Sequence, residues 1–151
     1  MDFELITHYD ITEIVKFLDE NPQIWDKSPN VGIDNSPNYK SINKEENQDL
    51  SLILNRIVRD LISRFNKDPE QVSITLLPAG EDIANHLDEV SALRRFHIPI
   101  QTNDQVIFYC GDSAINMKVG ECWEFNYKQW HRVVNNGTTD RIHLMVDLNN
   151  E

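Results

Sequence analysis

Apolar positions along the chain change their period part-way. Ile11, Ile14, Val15 and Leu18 fall on one helical face, and Asp10 followed by Glu13 has the spacing of a capping box. Asn21-Pro22 ends that segment, because the residue before a proline is pushed out of the helical region. From about Asp26 to Asn47 no period emerges, and Ser, Pro, Asn, Lys and Asp dominate. Unstructured connections in compact domains usually stay below about 15 residues, so this segment reads as a mobile or functional loop, such as a lid. A stronger helix follows, with Leu50, Ile53, Leu54, Ile57, Val58, Leu61, Ile62 and Phe65 at helical spacing and Asn66 to Pro69 closing it.

Beyond Pro69 the texture is that of strands. Short runs rich in β-branched and aromatic residues occupy Gln71–Leu77, Leu93–Ile100, Val106–Cys110, Ala114–Val119, Cys122–Phe125, His131–Val134 and Arg141–Leu148. Turn signals separate them, among them Pro78-Ala79-Gly80, Thr102-Asn103-Asp104 and Asn135-Asn136-Gly137. No helical pattern interrupts the series. The expected fold is mainly β, a sandwich or barrel of the jelly-roll kind, with the two N-terminal helices packed on one sheet. The helical support covers about 10–67 and the β core about 71–148, all within a single domain of 151 residues.

Charge narrows the partners. Acidic residues outnumber basic ones 25 to 14, a formal charge of −11. Such a field repels phosphate backbones and anionic membranes, so neither is an expected partner, although a local basic pocket for a small anion is still allowed. No stretch reaches the length of a membrane span, and the start MDFELITHYD lacks an apolar signal region. With only Cys110 and Cys122 present, the expectation is a cytoplasmic protein with reduced, buried thiols.

The candidate chemistry begins at His86-Leu87-Asp88. On an extended segment residues i and i+2 project to one side, so both side chains reach one ion. A third ligand from a distant strand completes a facial triad of two histidines and a carboxylate, the donor set of non-haem Fe(II) oxygenases. The pattern alone is weak, because acidic residues are common here and a second copy occurs at His8-Tyr9-Asp10, where Asp10 is better explained as a helix cap. Company strengthens the first copy. His131 opens one strand, Arg141 opens the last, and Arg95 and His97 share a strand face opposite Phe96, Ile98 and Ile100. Cationic residues on three strands beside a possible metal triad suit a dianionic co-substrate, since an arginine fork grips a carboxylate bidentately.

Read together, Pro78-Ala79-Gly80, His86-Leu87-Asp88, Arg95-Phe96-His97-Ile98-Pro99-Ile100, Gly120-Glu121-Cys122-Trp123-Glu124-Phe125, His131-Arg132-Val133 and Arg141-Ile142-His143-Leu144 resemble the aspartyl/asparaginyl β-hydroxylase family of Fe(II)/2-oxoglutarate dioxygenases. The resemblance runs from about Val72 to Asp147, and the first 70 residues carry no matching motif. It implies a double-stranded β-helix of cupin-like kind with iron between the sheets, held by His86, Asp88 and His131. Animal members have glycine at the place of Asp88. The resemblance further implies that Arg141, helped by Thr75 where the family has serine, binds the distal carboxylate of 2-oxoglutarate. Arg95 and His97 then contact the carboxylate nearest the metal. The implied reaction consumes O2 and 2-oxoglutarate, releases succinate and CO2, and hydroxylates a C–H bond of an amino acid, free or in a peptide. Retention of Asp88 argues against halogenation, which needs that ligand position vacant.

Other residues carry less weight. His143 shares a face with Arg141 and either lines the pocket or packs behind it. Trp123, Phe125 and Met117 read as core, Trp130 as a wall of the site or plain packing, and Trp25 as a substrate contact or a surface aromatic anchoring the loop. The competing function is a metal-binding jelly-roll protein without oxygenase activity, an isomerase or binding module, which has no need of the Arg141 and Arg95 pair. Substrate identity and oligomeric state have no signal in the sequence.

Overall fold

The computed structural model describes residues 1–27, 36, 38–88 and 93–151. In chain order the elements are β1 (Phe3–His8), α1 (Thr12–Glu20), β2 (Lys40–Asn43), α2 (Gln48–Phe65), β3 (Pro69–Leu77), β4 (Asp82–His86), β5 (Leu93–Gln101), β6 (Val106–Cys110), β7 (Ser113–Ile115), β8 (Glu121–Phe125), β9 (His131–Asn135) and β10 (Arg141–Asn149). Six strands form a larger sheet in the order β1-β8-β5-β10-β3-β2, and four form a smaller one in the order β4-β9-β6-β7. Every pairing is antiparallel. Two facing antiparallel sheets with two helices on one of them make the double-stranded β-helix that the sequence leads one to expect.

Side-chain alternation explains why the larger sheet is covered on both faces. On β3, β5 and β10 one set of alternate positions is apolar: Val72, Ile74 and Leu76; Phe96, Ile98 and Ile100; Ile142, Leu144, Val146 and Leu148. These pack against Ile14 and Leu18 of α1 and Leu50, Leu54, Ile57, Val58 and Leu61 of α2. Each such side chain contributes about 1.5–3 kcal/mol by leaving water, so α2 is held by its stripe more than by its propensity. Its ends are also closed. The Asn47 side chain accepts the Leu50 N–H at 3.0 Å, and Asn66 adopts φ 51°, the left-handed conformation that Asn tolerates at a helix end. The other alternate positions of β3, β5 and β10 face the smaller sheet, where Leu77, Phe108, Phe125 and Val133 form a second apolar cluster.

The structure adds one element to the N-terminal third and corrects two readings there. Phe3–His8 is a strand, paired with β8, although nothing in its pattern suggests one. A register shift between Leu5 and Thr7 explains this, because a bulge destroys the simple alternation by which a strand is recognised. Asp10 forms no capping box with Glu13: α1 begins at Thr12, and the Asp10 carboxylate accepts both the Thr12 N–H and hydroxyl, at 3.0 and 2.6 Å. The segment from Asp26 to Asn47 is not without regular structure, since β2 pairs with β3 and a short 3-10 turn follows at Lys44–Glu46. β2 is a four-residue edge strand with Ile42 as its one buried residue, so pairing rather than its own pattern defines it. Residues 28–35 and 37, and with them the lid reading, lie outside the described residues. In the C-terminal half only Ala114–Val119 is shortened, to Ser113–Ile115. There the Asn116 side chain donates to the carbonyls of Asn103 and Val106 in place of a ladder.

Candidate metal centre and anion pocket

His86 closes β4 and His131 opens β9, and the two are direct partners in the ladder of the smaller sheet. Pairing across a ladder is what sets two residues 45 positions apart on one face, with ring centroids 4.2 Å from each other. Each imidazole has its Nδ1 beside a backbone carbonyl, Ala84 O at 2.7 Å for His86 and Gln129 O at 2.8 Å for His131. Each carbonyl accepts the Nδ1 proton, so a metal arriving at Nε2 displaces only the proton shared with Asp88 and meets the tautomer that a histidine ligand needs. Both Nε2 atoms point at Asp88, at 3.3 Å from its Oδ1 for His86 and 3.2 Å from its Oδ2 for His131. All three ligating atoms lie within 4.8 Å of one another. Burial alone raises the Asp88 pKa, but hydrogen bonds from His131 and His86 and the charge of Arg95 outweigh it and hold the carboxyl well below its usual range. Asp88 is therefore an anion at neutral pH, ready for a cation.

The same cavity, of about 180 Å³, is also lined by Arg141, His97 and Tyr39. Arg141 opens β10 and is 1% exposed. Its Nη2 donates to the Thr75 hydroxyl at 3.1 Å across the β10–β3 pair. Its Nε and Nη1 are buried with no hydrogen-bond partner among the described residues. Burial pulls its pKa below the usual arginine range, and among the described residues only the Tyr39 phenol opposes that shift. No carboxylate of the described residues pairs with it. Leaving a guanidinium buried and half satisfied costs several kcal/mol, a cost that an anion in the cavity offsets.

His97 is 6% exposed and packs edge-on against Phe108 and Phe125. Its Nδ1 lies 2.9 Å from Nδ1 of His143, so one proton sits between the two rings. Burial and the charge of Arg141 push both histidines well below their ordinary pKa, which keeps them neutral. His143 is 1% exposed and stands behind His97 rather than on the cavity wall. Arg95 lines the cavity but is already engaged. Its Nε and Nη2 donate to the two oxygens of Asp147 at 2.7 and 2.9 Å, and its Nη1 donates to Asp88 Oδ2 at 2.7 Å.

The remaining expectations sort by place. Met117 and Phe125 are buried in the core between the sheets, with Trp123 packed against it. Trp130 is 55% exposed, and Trp25 packs on the helical side, away from the cavity. His8 stands at the end of β1, its side chain 68% exposed and near Glu121, with no metal cluster around it among the described residues. Asp147 and Tyr39 are the site residues that the sequence did not single out. Asp147 continues the inward face Arg141-His143-Met145, which was a usable signal; Tyr39 lies in a stretch with none.

A family model for aspartyl/asparaginyl beta-hydroxylase matches residues 36–151. The chain belongs to that family. Membership makes this hydroxylase-family chain a 2-oxoglutarate-dependent dioxygenase by class. Solved structures share its fold. A viral collagen prolyl hydroxylase from Paramecium bursaria Chlorella virus-1, in complex with 2-oxoglutarate, superposes with a TM-score of 0.70 at 11% identity, over 100% of this chain and 97% of that one. A 2-oxoglutarate-Fe(II) oxygenase family oxidoreductase from Burkholderia pseudomallei gives 0.70 at 12% identity, over 99% and 86%. A prolyl hydroxylase from Trichoplax adhaerens, bound to a hypoxia inducible factor peptide fragment, gives 0.70 at 14%, over 99% and 84%. No curated protein sequence is significantly similar to this chain. Among the described residues no helix is long and apolar enough to cross a membrane.

Proposed function

We propose that this chain hydroxylates a C–H bond of an amino acid, free or within a peptide, using Fe(II), 2-oxoglutarate and O2. The observation that carries the reading is Arg141, a buried cation with two nitrogens unpartnered among the described residues, lining the same cavity as a two-histidine, one-carboxylate cluster. That donor set suits Fe(II) with open coordination positions, and the orphaned guanidinium suits a second carboxylate at the far end of the cavity.

His86, Asp88 and His131 would hold the metal. Arg141, steadied by the Thr75 hydroxyl, takes the distal carboxylate of 2-oxoglutarate. His97, neutral and with its Nδ1 tied to His143, presents Nε2 toward the carboxylate nearer the metal. Phe108, Phe125, Ile83 and Val133 keep water from the cavity. When bound, iron with its co-substrate supplies the oxidation: one oxygen atom of O2 enters the substrate C–H and the other enters succinate, with loss of CO2. The protein contributes orientation, a dry wall and fixed charge. Two buried free thiols suit a reducing, cytoplasmic setting. A metal-binding isomerase or binding module has no use for the unpaired guanidinium.

Purified protein reconstituted anaerobically with Fe(II) and then given O2 should convert 2-oxoglutarate to succinate, slowly without substrate and faster with it. Absence of both 2-oxoglutarate binding and turnover refutes the proposal. A screen of free amino acids and short peptides, scored by succinate release, then identifies the substrate.

A further inference from the structure

The three groups that meet at the metal centre are not fixed equally well. His86 and His131 sit at strand ends, face each other across a ladder and are steered by backbone carbonyls. Asp88 lies two residues beyond the end of β4, outside any ladder. Its anchor is Arg95 on the opposite sheet, through the 2.7 Å bond from Nη1 to Oδ2. Arg95 is itself gripped as a fork by Asp147, which is 2% exposed and stands directly opposite it in the β10–β5 register. The ring of Tyr127 lies 5.6 Å from the guanidinium carbon and covers it further.

We propose that Arg95 and Asp147 are positioning residues for Asp88: Asp147 fixes the guanidinium, and the guanidinium holds Oδ2 so that Asp88 offers Oδ1 to a divalent cation. The inference rests on the reading of His86, Asp88 and His131 as metal ligands. Charge gives Asp147 a second task. A lone arginine on Asp88 competes with a metal for the same carboxylate and repels the incoming cation. With Asp147 bound to the other edge of the fork, Arg95 arrives with its charge compensated, so it orients Asp88 without cancelling it. Arg95 thus acts through Asp88 rather than as a clamp for the co-substrate, and the near carboxylate is left to His97.

The test is Mn(II) binding, followed by loss of the free-ion electron paramagnetic resonance signal, in the wild type, Asp147→Asn, Arg95→Met and the double variant Arg95→Met/Asp147→Met. The double variant removes both buried charges together, so it folds even where Arg95→Met strands Asp147 unpaired. Expected is a loss of Mn(II) affinity of roughly 10- to 100-fold in each variant, the usual cost of removing a group that orients a metal ligand. The double variant should lose no more than Arg95→Met, because Asp147 works only through Arg95. At saturating Mn(II), Arg95→Met should bind 2-oxoglutarate within about threefold of the wild type, under 1 kcal/mol by the usual conversion. A wild type that takes up no Mn(II) overturns the metal-site reading and this one with it. Wild-type Mn(II) affinity in the variants overturns this one alone, and so does a loss confined to 2-oxoglutarate binding.

Discussion

The two faces of β3, β5 and β10 are built from the same backbone and have opposite contents. Toward the helices they present Ile74, Ile98, Leu144 and Val146, all fully buried and with nothing to ionise. Toward the smaller sheet they present, beside the apolar Leu77 and Met145, the polar Thr75, Arg95, His97, Arg141, His143 and Asp147, all buried or nearly so. Nothing in local propensity distinguishes the faces, since alternate residues share one strand. The difference is in what each face must satisfy. Among the described residues the helix side packs apolar chains against one another, while the inner side ends on Arg141 with two nitrogens unpartnered. Stability is stored on one face, and the capacity for a ligand on the other.

The sharpest break of that comparison is at His131. His131→Ala removes one of three converging ligand atoms and should abolish succinate formation, while far-UV circular dichroism and cooperative melting persist. A variant that keeps turning over takes His131 out of the metal site. Arg141→Met comes next. Loss of a buried charged hydrogen-bond partner of a ligand costs about 2–5 kcal/mol, so the 2-oxoglutarate requirement should rise between roughly 30-fold and several thousand-fold. The same substitution exchanges an uncompensated buried charge for an apolar chain, so the ligand-free protein should melt at an equal or higher temperature. A fall in melting temperature would show that Arg141 is paired within the folded chain after all. On the other face, Leu144→Ala should cost about 2–5 kcal/mol in chemical denaturation through the cavity it leaves. Succinate formation per folded molecule should stay at the wild-type rate, which is the outcome that separates the faces.

The elements that were legible in the sequence are those whose burial pattern has a clean period. α2, β5, β6, β9 and β10 each carry an uninterrupted stripe or alternation, because each has one face against a continuous core. β1 and β2 were not, the first through its bulge and the second because it is short, polar and defined by a neighbour. The candidate site divides the same way. His86, Asp88, His131 and Arg141 stood out by motif and Thr75 through the family resemblance alone, whereas His8 and Asp10 have the same spacing as His86 and Asp88 and lie nowhere near a metal cluster among the described residues. Asp147 lay on the legible inward face of β10, but its role escaped because only the register sets it against Arg95, 52 positions away. Tyr39 escaped because nothing around it repeats. Chemistry assembled from distant strands is visible in a sequence only where a motif marks it in advance.

The smallest expected effect uses the two cysteines, one in each core. Cys122 belongs to the helix-side cluster and Cys110 to the cluster between the sheets, and both are fully buried. Burial raises their thiols to about 12 and about 11 respectively. Each folded-state pKa thus exceeds that of the unfolded chain, near 8.5. A thiol of this kind costs no stability below the unfolded pKa; as pH rises beyond it, the unfolded state ionises first and stability falls until the folded pKa is reached. Alkaline denaturation should therefore steepen above about pH 9, and neither thiol should react with iodoacetamide in the native protein at pH 8. The faces part when the cavity is filled. Cys110 is the ladder partner of His131, so any opening that exposes it also pulls apart the metal centre. Cys122 has no such link. Mn(II) with 2-oxoglutarate should slow the residual labelling of Cys110 by more than that of Cys122, read by mass spectrometry of the digested protein. Equal slowing of both would mean that the two cores open together, and that the division between them is one of chemistry and not of mechanics.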